Sequence, residues 1–120
     1  MFGAILFAAV AAITPPQMKV IDQTAKEYRL TTEEKALLIA IRKVENGRPG
    51  LEWGVAQNFP NHPARRYKDG VKSFAVQCKW AAGTIKRRYR GDLVAFSKRY
   101  CPPNHANWRR MVREKMGRVD

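Results

Sequence analysis

The sequence predicts a single, mainly α domain with little or no sheet. Apolar residues recur at helical spacing along most of the chain, and no segment shows the sustained alternation of a half-buried strand. The 120 residues, of which 45% are hydrophobic, suit one domain with a buried core. We therefore expect one domain over residues 15–120, preceded by an apolar segment at residues 1–14.

The first two helices are predicted from their starts. Pro15 and Pro16 favour a helix start. The apolar positions that follow at helical spacing are Met18, Ile21, Ala25 and Tyr28. A second helix is predicted by a capping box, in which Thr31 is the N-cap and the side chain of Glu34 reaches back to the free amide.

The apolar face of this second helix contains an acid where its spacing calls for an apolar residue. The face is formed by Leu37, Leu38, Ile41 and Val44. Glu45 comes four residues after Ile41 and seven after Leu38, so it projects from the edge of the same face. We therefore expect its carboxyl group to be half-buried. Asn46 and Gly47 can then end the helix in a left-handed turn.

Two effects at this position raise the pKa of the Glu45 carboxyl group. They are desolvation beside apolar side chains and the negative end of the helix dipole. Surrounding positive charge lowers the pKa, and the sequence leaves open which effect is larger. A carboxylic acid that is protonated near neutral pH can donate its proton to a leaving oxygen, as glycosidic cleavage requires. The alternative is that Glu45 only pairs with a basic side chain, such as Arg42 or Arg48.

The third and last helices are predicted from apolar stripes. The stripe of the third helix consists of Phe74, Cys78, Ala81, Ala82, Ile85 and Tyr89. That of the last helix consists of Trp108, Met111, Val112 and Met116. Trp80 lies off the stripe and is expected to reach a groove, whereas Trp53 and Phe59 are aromatic residues of a loop that suit stacking on sugar rings. His62 and His105 are isolated beside Pro or Asn and are expected in loops.

Positive charge is concentrated in the second half of the chain. Residues 1–60 contain seven Lys and Arg against six Asp and Glu, while residues 61–120 contain sixteen against four. Nucleic acid, acidic lipids and anionic envelope polymers are candidate partners, and a solvated cationic surface is the alternative. The segment "KRRYR" at residues 86–90 favours nucleic acid most strongly, but no helix-turn-helix, zinc-finger or basic-zipper pattern fits the sequence.

The cysteines and the N-terminal segment leave alternatives open. Cys78 and Cys101 form no zinc-binding pattern, so no metal is predicted, and either one disulfide or two buried thiols is compatible with the sequence. The apolar run within residues 1–14 is too short for a stable membrane span. It is interpreted as a core helix or as a weak signal or anchor, since a secretory signal would carry Lys or Arg near its start.

Three segments together resemble the lysozyme superfamily, and in particular the branch of goose-type lysozymes and lytic transglycosylases. The helix ending in Glu45-Asn46-Gly47 is followed by Gly54-Val55-Ala56-Gln57, similar to the Glu-Ser-Gly and Gly-Leu-Met-Gln-like motifs of that branch. "QCKWAAGTIKRRY" falls where the branch has its next long helix, and "GDLVAFSKRYCPPNHANW" where it has a short helix, a tyrosine-bearing loop and a final helix. Small phage and prophage muralytic domains also resemble this layout.

The resemblance covers residues 17–116 and implies a lysozyme-like bundle of about five to six helices around a cleft. It implies that Glu45 is the general acid that cleaves the MurNAc-GlcNAc glycan of peptidoglycan, without a cofactor. The residues expected at the substrate are Gln57, Gly54, Trp53, Tyr100 and Asn104. Of these, Tyr100 and Asn104 stand loosely in place of the Ala-Tyr-Asn motif of the transglycosylases, which this sequence lacks.

A second carboxylate would be needed for a two-acid glycosidase, and the remaining acids within reach by sequence are Glu52 and Asp69. Glu52 follows the second helix, so it could face the cleft or be solvated. Asp69 lies in "YKDG", which is typical of a turn. A single-acid reaction like that of lytic transglycosylases is therefore expected, in which the substrate's own hydroxyl closes a ring.

The sequence thus predicts a monomeric peptidoglycan hydrolase or lytic transglycosylase that is exported, envelope-associated or phage-delivered. Two other functions are compatible with the same residues. One is a basic protein that binds nucleic acid through its C-terminal half, and the other is an inactive wall-binding domain with the same fold.

Overall fold

The computed structural model describes residues 12–117, which form five α-helices and no strand. The helices are α1 (Pro15–Glu27), α2 (Thr32–Glu45), α3 (Gly70–Arg88), α4 (Leu93–Tyr100) and α5 (His105–Lys115). Single turns of 3-10 helix at Pro63–Arg65 and Pro102–Asn104 lie in the connections. The prediction of a mainly α domain is confirmed, and the interpretations of residues 1–11 fall outside the described part of the chain.

The helix ends follow from local side-chain hydrogen bonds. At the start of α2 the Thr31 hydroxyl accepts from the Glu34 amide at 3.1 Å, and the Glu34 carboxylate accepts from the Thr31 amide at 2.8 Å. The predicted capping box is therefore confirmed. A second box, which the sequence analysis did not predict, joins Thr14 and Gln17 before α1. Asn46 ends α2 in the left-handed conformation, with φ of 44°.

Helix α2 occupies the centre of the fold, because it packs against both α3 and α5. Helix α1 packs on α3, and α4 packs on α5. The apolar faces predicted for α2 and α3 are buried throughout. On α5, Trp108 and Val112 are buried, and Met111 and Met116 lie partly buried against the core. The core therefore forms where these predicted faces meet.

The long connection of residues 46–69 is held to α3 by the fully buried side chain of Gln77. Its Oε1 accepts from the amides of Trp53 at 3.1 Å and Val55 at 3.2 Å. Its Nε2 donates to the carbonyls of Val55 at 3.1 Å and Ala64 at 3.0 Å. One amide side chain thus provides hydrogen bonds that a sheet partner would otherwise supply to this irregular segment.

A second buried polar group fixes the beginning of the same connection. The Ser73 hydroxyl and the Gly50 amide both donate to the Glu52 carboxylate. Arg42 donates to the Glu52 carbonyl at 3.5 Å and lies over the ring of Phe74. Burial raises the pKa of Glu52 and lowers that of Arg42. Glu52 therefore joins α2, α3 and the connection.

Cys78 and Cys101 are both buried free thiols. Of the two alternatives that the sequence left open, the structure therefore has two buried thiols and not a disulfide. Burial raises the pKa of Cys78 to about 12 and that of Cys101 to about 11. Neither thiol is therefore ionised near neutral pH. Among residues 12–117, no helix is long and apolar enough to cross a membrane.

The Gln77→Met variant tests whether the amide fastens the connection. Met has a similar length but leaves four buried backbone groups without their partner, so we expect the free energy of unfolding to fall by about 2–4 kcal/mol. Urea denaturation followed by circular dichroism measures the change. The control is Val71→Ala at a 70% exposed position of the same helix, where we expect a change within about 0.5 kcal/mol. Equal stability of Gln77→Met and the native protein would contradict this role.

Candidate active site

Glu45 is the last residue of α2, and its side chain is only 4% exposed. The prediction that it is half-buried was therefore wrong, because α5 and the connection of residues 46–69 both cover it. Trp108 of α5 donates from its indole Nε1 to Glu45 Oε2 at 2.9 Å. Within the described residues Glu45 forms no ion pair, so the alternative of pairing with Arg42 or Arg48 is not observed.

Burial raises the pKa of the Glu45 carboxyl group to about 7. The hydrogen bond from Trp108 lowers the pKa, but by less than burial raises it. The sequence left open whether desolvation or positive charge has the larger effect on the pKa of Glu45. In the structure desolvation has the largest effect. A carboxyl group with this raised pKa is available in its protonated form near neutral pH, as general acid catalysis requires.

The Glu45 carboxylate lies against Gly54 in the connection. Gly54 has a left-handed φ of 69°. A Cβ at this position would lie 2.7 Å from Glu45 Oε1 and 3.0 Å from its Cδ. Glycine is therefore required both by the backbone conformation and by the closeness of the carboxylate. Gln77 fixes the residues on either side of it, Trp53 and Val55, through their backbone atoms.

Tyr100, at the C-terminal end of α4, links the aromatic residues around Glu45 to the connection. Its ring stacks on Trp108, with centroids 5.2 Å apart, and on Phe96 at 5.4 Å. Its hydroxyl donates to the Trp53 carbonyl at 2.6 Å. Burial and the nearby Glu45 carboxylate raise its pKa well above the ordinary value, so the hydroxyl keeps its proton.

A cavity of about 340 Å³ lies beside this cluster, between the connection, α3 and α4. Its lining includes Gly54, Val55, Phe96, Tyr100, Arg88 and Arg99. Glu45 is not among the lining residues, and the parts of the wall next to it are Gly54 and Tyr100. The guanidinium groups of Arg88 and Arg99 form no hydrogen bond or ion pair within residues 12–117. The walls of the cavity are thus partly apolar and partly polar, and they include two available positive charges.

Of the predicted site residues, the structure brings Glu45, Gly54 and Tyr100 together. Tyr100 is the last residue of α4, although the resemblance placed it in a loop. Asn104 is exposed in the 3-10 turn before α5 and does not line the cavity. Gln57 is partly buried outside the cavity lining, and its carbonyl accepts from Arg65.

The other two predicted site residues have different positions from those expected. Trp53 is fully buried, with its ring edge-on to Phe74 and its Nε1 bonded to the Leu38 carbonyl at 2.8 Å. Its ring therefore cannot stack on a sugar in the cavity. Glu52 is neither solvated nor at the cavity, because Ser73 and Gly50 bind its carboxylate inside the protein.

Two residues that shape the site were not predicted in these roles. Gln77 falls on the apolar stripe of α3, one position before Cys78, and a polar residue on a buried stripe is a recognisable sign of an internal hydrogen-bonding role. Trp108 was assigned to the core, but a buried indole N–H usually needs an acceptor. The sequence does not show which groups these two side chains bind. Gln77 binds the connection of residues 46–69, and Trp108 binds Glu45 on another helix.

Comparison of the chain with models of protein families, with curated proteins and with solved structures returns no match. The relationship to lysozymes therefore stays a prediction. Within residues 12–117, no group of three or more His, Cys, Asp or Glu side chains is placed to hold a metal ion.

The raised pKa of Glu45 predicts a specific dependence of stability on pH. The folded state binds the proton more tightly than the unfolded state, so the free energy of unfolding falls as the pH rises from about 4.5 to about 7. The loss attributable to Glu45 is about 3 kcal/mol. Urea denaturation of the native protein and of Glu45→Gln over this pH range measures this loss. The difference between the two proteins gives the contribution of Glu45, because Gln cannot ionise. Parallel pH curves for the two proteins would contradict the shift.

Gly54→Ala tests how closely the connection packs on the carboxylate. We expect a loss of about 2–4 kcal/mol in the free energy of unfolding, from backbone strain and from displacement of Glu45. Gly91→Ala is the matched control, since Gly91 also has a left-handed φ of 83° but has open space around it. This control should lose only about 1 kcal/mol. Equal losses in the two variants would show that the carboxylate is not confined by Gly54.

Proposed function

We propose that the protein cleaves the MurNAc-GlcNAc glycan of peptidoglycan, with Glu45 as the general acid. The observation that carries the proposal is a buried carboxyl group whose pKa is raised to about 7 and which forms no ion pair within the described residues. It lies beside a cavity of about 340 Å³, behind Gly54 and Tyr100. This volume is within the usual range for small-ligand sites.

In the proposed reaction the protonated Glu45 gives its proton to the glycosidic oxygen, and the bond between that oxygen and the anomeric carbon breaks. The Trp108 indole N–H, 2.9 Å from Oε2, stabilises the carboxylate that remains. Gly54 separates Oε1 from the cavity with backbone atoms alone, since it has no side chain. The carboxylate then takes a proton from the attacking hydroxyl group and returns to its neutral form.

The attacking hydroxyl group is proposed to belong to the substrate. A two-acid glycosidase needs a second carboxylate about 5–9.5 Å from the first. Glu52 is bound by Ser73 and Gly50 inside the protein, and Asp69 precedes the first residue of α3. No carboxylate lines the cavity among the residues described. An intramolecular attack that leaves an anhydro sugar, as in lytic transglycosylases, therefore fits the site better than hydrolysis.

The charge around the cavity supports an anionic substrate. Arg88 and Arg99 line the cavity without an internal partner in residues 12–117. Guanidinium groups bind carboxylates through two parallel hydrogen bonds, and peptidoglycan carries carboxylates on its peptides. The net charge of +13 also attracts the protein to such a polymer.

The alternative of nucleic-acid binding loses part of its support from the segment "KRRYR". Lys86 donates to the Arg29 carbonyl at 2.7 Å and pairs with Glu34 at 3.1 Å. Arg90 donates to the carbonyls at the end of α3. Two of the basic side chains in the segment are therefore engaged in holding the fold, and a separate binding assay with duplex DNA distinguishes this alternative.

Glu45→Gln tests the proposal. We expect the release of soluble fragments from purified peptidoglycan to fall at least about 100-fold, the lower end of the usual contribution of a general acid. Glu114→Gln, at an exposed position on α5, should retain full release. Circular dichroism verifies the fold of both variants, and mass spectrometry of the native products should detect anhydro ends. Full release by Glu45→Gln would exclude Glu45 as the acid, and binding without release by the native protein would indicate an inactive wall-binding domain.

A further inference from the structure

A second groove, of about 480 Å³, lies between the C-terminal end of α1 and the outer face of α3. Its lining includes Tyr28, Arg66, Lys79, Trp80 and Arg87. It shares no lining residue with the cavity beside Glu45. The two sites are nevertheless neighbours in the fold, because α3 and the connection of residues 46–69 contribute residues to both.

The positive charge of the groove is neutralised only in part by the rest of the described chain. Arg66 and Arg87 form no side-chain hydrogen bond or ion pair within residues 12–117. Lys79 has a loose ion pair with Glu27 at 3.7 Å, between two half-exposed side chains. Such a pair contributes little and is easily exchanged for another anion. Two guanidinium groups and one ammonium group are thus available to carboxylates.

Trp80 provides the groove with an exposed aromatic ring. It is 37% exposed, whereas Trp53 and Trp108 are fully buried. The ring of His62 packs against it edge-to-face, with centroids 4.8 Å apart, and His62 is itself fixed by accepting from the Ala64 amide at 3.0 Å. The indole is therefore held in position at the surface, where it can stack on the apolar face of a sugar ring.

We propose that this groove is a second binding site for the carboxylate-bearing glycan of peptidoglycan, separate from the site of cleavage. The inference rests on the proposed function, and it adds a site that retains the protein on the polymer. A single fixed indole in a groove that is also lined by two guanidinium groups fits one sugar ring and the carboxylates of the attached peptide. Single-stranded nucleic acid instead requires successive stacking rings along a basic track. Of the two aromatic residues that line this groove, Tyr28 is partly buried against the core and Trp80 is exposed.

The test uses Glu45→Gln as the parent, because that variant should bind peptidoglycan without degrading it. Cosedimentation with purified sacculi measures the dissociation constant. Adding Trp80→Ala, or Arg66→Gln with Arg87→Gln, should weaken binding about 10-fold. The control adds Lys98→Gln and Arg110→Gln, which remove the same charge from exposed positions outside the groove, and it should weaken binding less than 2-fold.

The outcomes separate this inference from the proposed function. Unchanged binding in both groove variants, with their fold verified by circular dichroism, would overturn the groove site while fragment release by the native protein still supported cleavage. Weakened binding in the groove variants, with no fragment release by the native protein, would keep the groove site and overturn cleavage. Binding of a single-stranded oligonucleotide that Trp80→Ala abolishes, with unchanged binding to sacculi, would assign the groove to nucleic acid and overturn the inference.

Discussion

The burial of one carboxyl group, that of Glu45, constrains the elements packed around it. A buried carboxylate is costly without hydrogen bonds, and the group responds by a raised pKa and by accepting from Trp108. This hydrogen bond fixes where α5 lies on α2. The same carboxylate leaves no room for a side chain at residue 54, and Gln77 holds the backbone there in place. The position of the acid therefore depends on α2, α3, α5 and the connection together.

The connection of residues 46–69 has little regular structure, yet buried polar groups determine its path. Gln77 binds it near its middle, and Glu52 fixes its beginning through Ser73 and Arg42. Such networks specify a single arrangement, because any other path would leave buried donors and acceptors unpaired. The site is consequently built on an irregular segment whose backbone is held by buried side chains.

The positions of the basic side chains explain how a protein with a large positive charge can contain a carboxyl group with a raised pKa. Lys86 and Arg90 hold the fold, whereas Arg88 and Arg99 face the cavity. Positive charge near the cavity attracts anions, but it is kept apart from Glu45, whose hydrogen-bond donor is the uncharged Trp108. Desolvation therefore outweighs the attraction of the positive surface, and the pKa of the acid is raised to about 7.

Local sequence was enough to predict the first three helices and the last one, the capping box of α2, the apolar faces and the place of Glu45 at the end of one such face. These features depend on helical periodicity and on residues three or four positions apart. The depth of Glu45, the burial of Trp53 and Glu52, and the contact between Gly54 and the carboxylate arise only when the chain is folded. These depend on hydrogen bonds and packing between segments distant in sequence, and an irregular connection has no periodicity from which its partners can be inferred.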